Sequence, residues 1–152
     1  MTLLNRLPIF PLYYKGGTRF APIHCSDLTD VIYQVISKNI YSNIVQCVGP
    51  EIITFKEILR KLLDLMGKKR ILFPLPLPLA EISAKFLQIM PNPLLTIDQL
   101  KLLKYDNVAS DKYKTNSDIG SPPIRYFSEE VKKYCYMWRE GGQFSTEKYK
   151  VN

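Results

Sequence analysis

TFKEILRKLLDLMGKKR, residues 54–70, constrains the fold more than any other stretch of this chain. Phe55, Ile58, Leu59, Leu62, Leu63 and Met66 recur at helical spacing, with Lys56, Glu57, Arg60, Lys61 and Asp64 on the opposite side. Thr54 and Glu57 have the T-x-x-E spacing of a capping box, in which two orphan N–H groups are satisfied reciprocally. Gly67 suits the left-handed position after the last turn, and Lys68 to Arg70 lie at the negative end of the helix dipole. A helix marked at both ends must lay its apolar stripe against something. The rest of the chain has to supply that surface.

Strands and further helices are legible on both sides of it. RFAPIHC (19–25) reads as a strand, and Leu28, Val31, Ile32, Val35 and Ile36 then repeat along one helix face. Ser26 and Asp27 stand where the first N–H groups of that helix need acceptors, so both read as caps. NIVQCVG (43–49) is a second short strand, closed by Gly49-Pro50. Residues 70–73 form a third, but Pro74, Pro76 and Pro78 cannot donate to a central ladder, so it ends early or lies at an edge. The prolines lead into a helix over about 79–90 that is apolar over a wide arc and is broken by Pro91-Asn92-Pro93. Thr96 can cap a short helix carrying Ile97, Leu100 and Leu103. Residues 105–123 are polar, turn-rich and without a period. Ser128, Glu129 and Glu130 open a last helix that puts Val131, Tyr134, Cys135 and Trp138 on one face and ends at Gly141-Gly142. No internal repeat is present.

The 152 residues suit one domain, and 46% hydrophobic with 23% charged content argues against disorder. Residues 1–142 are expected to fold, with 143–152 as a flexible tail. Cys25, Cys47 and Cys135 are odd in number and form no CxxC pair, which disfavours a disulfide framework and points to a reducing compartment. The opening MTLLNRLPIFPLYYKGG does not read as a targeting signal: Arg6 interrupts its apolar run, Pro8 and Pro11 break any helix, and no small-residue cleavage site follows. No apolar run reaches the roughly 18 residues of a membrane span. The net charge of +7 is spread out, with GKKR (67–70) its densest cluster and no nucleic-acid-binding motif beside it. A solvated basic surface, or one facing an anionic membrane, is the better reading, and no nucleic-acid partner is expected.

Candidates for chemistry are few. His24 is the only histidine and needs partners to serve as a base or ligand. Neighbours on a strand point to opposite faces, so Cys25 is expected to face away from it. One histidine without a cysteine pair cannot fill a tetrahedral metal shell. His24 and Asp27 are therefore better explained by a strand turning into a capped helix than by catalysis. None of the seven glycines falls into GxGxxG or GxxxxGK[ST] spacing, and no tyrosine has a lysine four residues later.

GGTRFAPIHCSDLTDVI (16–32), VGPEIITFKEILRKLLDLMGKKRILFPLPLPLAEI (48–82) and PNPLLTIDQLKLLKYDN (91–107), in this order, resemble the back half of atypical extended short-chain dehydrogenase/reductases. The closest resemblance is to the NAD(P)-binding accessory subunit family of respiratory complex I and its bacterial relatives, and 91–107 is its most specific part. The resemblance implies an α/β fold: the closing strands of a Rossmann-like sheet with a smaller, mostly helical substrate lobe. It also implies that the glycine-rich dinucleotide loop lies upstream of the matching part. NAD(P) is then the cofactor of the parent family, with none expected to bind this chain alone, and no catalytic residue is assigned.

Arg19, Phe20 and His24 are the positions at which the resemblance places substrate or partner contact. Sugar-nucleotide epimerases similar to this stretch carry an arginine three residues before the Ile-His pair, where this chain has Phe20 and the arginine stands one earlier, at Arg19. A one-residue slip along a strand moves a side chain to the other face, which weakens an arginine clamp and favours an apolar or quinone-like contact. Expected partners are the missing N-terminal half or complex I subunits, in bacterial cytoplasm or mitochondrial matrix, at the inner-membrane periphery. The alternatives are a docking or assembly factor of a membrane complex, and a remnant of a nucleotide-sugar epimerase or dehydratase.

Overall fold

The computed structural model describes residues 1–41, 43–76, 78–79, 82, 97–139 and 142. The expected helix over 79–90 (apart from Leu79 and Ile82), the break at 91–93, the Thr96 cap, Gly141 and the 143–152 tail lie outside them. The described residues form a mixed α/β structure with small two-stranded sheets.

The capped helix is its centre. Here α3, Phe55–Met66, opens on a full capping box, with the Glu57 N–H donating to Thr54 Oγ1 and the Thr54 N–H to Glu57 Oε2. It closes on Gly67, whose φ of 66° is the left-handed conformation a glycine adopts without strain. Leu59, Leu63 and Met66 pack with Leu4 of α1 (Thr2–Arg6) and Leu12 of β1 (Ile9–Leu12). Burying each such side chain contributes about 1.5–3 kcal/mol. Leu65, off the expected stripe, is also buried, against Val131 and Cys135. The helix is thus covered on two sides.

That cover comes partly from a strand the sequence hides. β1 pairs in parallel with β5 (Ile71–Pro74), in register Ile9↔Ile71 to Leu12↔Pro74. Pro8 and Pro11 rule out a helix there, but in a two-stranded sheet a proline N can face away from the ladder. Alternate residues divide the pair into two faces. Phe10, Leu12 and Leu72 turn to the core, while Ile9, Ile71 and Phe73 remain exposed.

The other strands are short. The expected strand over 19–25 is reduced to β2, Arg19–Phe20, antiparallel to β4, Ile53–Thr54. Pro22 has no N–H to continue a ladder, and the backbone beyond it threads past Gly49, where a Cβ would lie 1.8 Å from the Pro22 carbonyl oxygen. β3, Val45–Gln46, pairs in parallel with β6, Lys114–Thr115. The helix α2, Cys25–Ser37, forms where expected. Of its apolar face only Val31 is buried; Ile32 and Ile36 stay exposed. The short helix α4, Ile97–Leu102, buries Leu100 against Tyr13, with Ile97 and Leu103 beside it. The last helix, α5, spans Phe127–Lys132 and is followed by a 3-10 turn over Cys135–Trp138, so the shared face of Val131 and Cys135 is kept across a break.

Candidate functional site

The corner around His24 differs from its sequence reading in three ways. His24 itself is the N-cap of α2: its Nδ1 accepts the Ser26 N–H at 3.2 Å. Accepting there leaves the ring proton on Nε2 in the neutral form. Nε2 lies 3.7 Å from Glu130 Oε2 and 3.9 Å from Cys25 Sγ. Cys25 therefore stands beside His24 rather than facing away, because the strand has already given way to the helix. Asp27 is not a cap. It is buried, bonded to the Arg125 guanidinium, and accepts the N–H groups of Ile124 and Arg125 at 3.3 and 3.1 Å. It ties α2 to the segment leading into α5. In a relay, the two ring nitrogens would face nucleophile and acid separately. Here Cys25 and Glu130 share one nitrogen and the helix occupies the other, so the corner does not have the geometry of that relay.

Arg19 and Phe20 sit in a different arrangement. Residues 18–21 are bonded along two sides. Phe55 N donates to Thr18 O at 2.8 Å on one side. On the other, Thr18 Oγ1 donates to Leu103 O, Asn107 N to Arg19 O at 2.8 Å, and Ala21 N to Asn107 O at 3.1 Å. The Asp106 carboxylate receives Arg19 N and Arg19 Nε, both at 2.8 Å. Those donors hold the Asp106 carboxyl below the usual carboxylate range, the Arg19 backbone N–H contributing most. The Arg19 side chain is 57% exposed and spends its charge on this pair.

Phe20 turns the other way, as a one-residue slip requires. Its ring lies 6.3 Å from that of Phe55, at 53° between planes. These rings, with Leu102, Leu103 and Tyr105, wall a cavity of about 620 Å³ whose polar groups come from Gln99, Asp106 and Asn107. The size and apolar character suit a small ligand held by a few placed polar groups. Of the sequence-derived contact residues, Phe20 lines this cavity, Arg19 anchors its rim through Asp106, and His24 is not among its lining residues. Phe55 was read from sequence only as part of a helix stripe, and Tyr105, Asp106 and Asn107 were not singled out as site residues. The signal for the last three was the position of 105–107 at the end of the most specific stretch of the resemblance.

Among the described residues no group of three or more His, Cys, Asp or Glu side chains could hold a metal ion, and no helix is long and apolar enough to cross a membrane. No protein-family model matches the chain, and no curated protein matches it.

Proposed function

We propose that this chain is the substrate lobe of an NAD(P)-binding protein of the complex I accessory type, holding an apolar ligand and lacking turnover by itself. One observation carries the reading. Two of the three stretches that bear the resemblance, 16–32 and 91–107, meet at Arg19–Asp106 and Phe20–Asn107, and with Phe55 of the third they wall the apolar cavity. A binding lobe is built this way, with rigid rims positioning an apolar floor. The uncovered face of the β1–β5 pair supports the same reading, since parallel strands ordinarily carry cover on both faces. In this proposal the cover, and the glycine loop that would cradle the dinucleotide phosphates, come from another polypeptide segment, the closing strands of the Rossmann-like sheet being those described above.

The remnant of a nucleotide-sugar epimerase is the weaker alternative, because Arg19 is committed to Asp106 and the cavity wall at the neighbouring position is a phenyl ring. Docking on a membrane complex in bacterial cytoplasm or mitochondrial matrix is compatible with the lobe reading and adds a partner to it.

The emission of reduced nicotinamide tests the proposal. NADPH titrated with the chain alone should keep its free emission, because in this proposal the loop that cradles the dinucleotide phosphates belongs to another polypeptide segment. An enhanced, blue-shifted emission that saturates would contradict it.

A further inference from the structure

Two sets stand out among the 21 lysines and arginines of this chain. Arg19, Lys61, Lys101, Arg125 and Lys133 each face a carboxylate within an ion pair. Lys56, Arg60, Lys68, Lys69 and Arg70 enter none of the ion pairs among the described residues, and all five line one groove of about 350 Å³. Among the described residues Asp64 is the only carboxylate in the lining, which also includes Leu63 and Leu72. The groove forms because Gly67 reverses the chain in the left-handed conformation, bringing 68–70 back beside α3 before β5 begins.

Helix-end electrostatics accounts for part of this cluster. Lys68 to Arg70 follow the last turn of α3, where cations are favoured. It does not account for Lys56, which stands in the first turn of α3, where the dipole disfavours a positive charge. The fold also holds two of the five in place. The 3-10 turn Tyr13–Gly16 presses on the stem of Lys56 so closely that a Cβ on Gly16 would lie 2.8 Å from Lys56 Cβ. Arg70 donates from Nε to Leu4 O at 3.2 Å and from Nη2 to Asn5 O at 3.0 Å, so its guanidinium is fixed by carbonyl oxygens.

We propose that this groove binds adjacent phosphate groups, as carried by a polyphosphorylated small molecule or by a phosphoinositide headgroup. Several like charges converging on a concave surface raise the local potential and concentrate a multivalent anion. A single phosphate would engage only part of a cluster that spans more than one helical turn, from Lys56 to Arg60 and on to Lys69. The site is separate from the apolar cavity, and its ligand need not be the cavity's.

Calorimetry with sodium tripolyphosphate, at low and at physiological ionic strength, reads it directly. The expected result is saturable binding that weakens with salt and falls about tenfold or more in Lys56→Gln/Arg60→Gln, which loses two charge-assisted contacts. Lys69→Gln, a loop change without fold consequence, should weaken it in the same direction. Lys112→Gln/Lys132→Gln removes two charges elsewhere and should change it by less than about twofold. Flotation on phosphatidylcholine vesicles with and without a phosphatidylinositol bisphosphate separates the sources. Phosphoinositide-dependent flotation displaced by tripolyphosphate assigns a headgroup, and binding of the free anion without flotation assigns a soluble ligand. Failure of both probes to bind, or equal losses in both double variants, overturns the proposal.

Discussion

Asn116 has no exposed surface and is surrounded by partners. Its Oδ1 accepts Val48 N at 3.1 Å, and its Nδ2 donates to Val48 O at 3.0 Å and to Ser121 O at 3.3 Å. A single amide thereby fastens Val48, just past β3, to the turn over 116–121. Asn116→Ala would leave the Val48 N–H and two carbonyls without partners in a buried place, and should cost about 2–3 kcal/mol. A fall in the urea midpoint at unchanged slope is the expected result; a loss under about 0.5 kcal/mol would contradict this role. Nothing local in the sequence marks this residue, because Val48 is 68 positions away. Asp27 was misread for a related reason. Capping rules see only the next few residues, and its partner Arg125 lies 98 positions further on.

At the scale of elements, the parts read correctly are those whose determinants are contiguous. Thr54, Glu57 and Gly67 mark both ends of α3 from within its own sequence, and Leu100 follows from the short repeat of α4. Elements defined by a distant partner escaped. β1 reads as proline-interrupted until β5 is beside it, and the strand over 19–25 ends where Pro22 removes a donor. The capping box also makes a prediction about acid. The Thr54 backbone N–H, then its hydroxyl, with help from Lys61 and Arg60, hold the Glu57 carboxyl below its usual range. The unfolded chain then takes up a proton more readily than the folded one. The stability from this box is complete above the ordinary glutamate value of about 4.3 and is lost as pH falls through the lower folded value. Melting temperature should therefore drop with acidification below about pH 5, and Glu57→Gln should flatten part of that slope. Parallel slopes in the two proteins would contradict it.

The whole molecule leaves apolar surface uncovered. Ile71 is 64% and Phe73 51% exposed on one face of the β1–β5 pair, and Ile36 is 69% exposed on α2. Parallel strands bare on one face, with unpaired edges, favour association with a second surface. Light scattering should find concentration-dependent association, and Ile71→Thr/Phe73→Thr should shift the population toward monomer. A monodisperse monomer at all concentrations would contradict the incomplete-lobe account. The mixed α/β character was legible at this scale, but the division into two-stranded sheets was not. Sheet size depends on which segments lie side by side, and the periodicity of each segment alone carries no such information.

The central claim is that the two stretches meeting at Arg19–Asp106 and Phe20–Asn107 build a site for an apolar ligand rather than a sugar nucleotide. Two-dimensional amide NMR of the chain, titrated separately with a short-tailed benzoquinone and with a uridine diphosphate sugar, tests it most directly. The account predicts saturable shifts for the benzoquinone at Phe20, Phe55, Leu102, Leu103 and Asn107, lost in Phe20→Ala. Saturable shifts at Arg19 and Asp106 with the sugar nucleotide, and none around Phe20 with the benzoquinone, would contradict it.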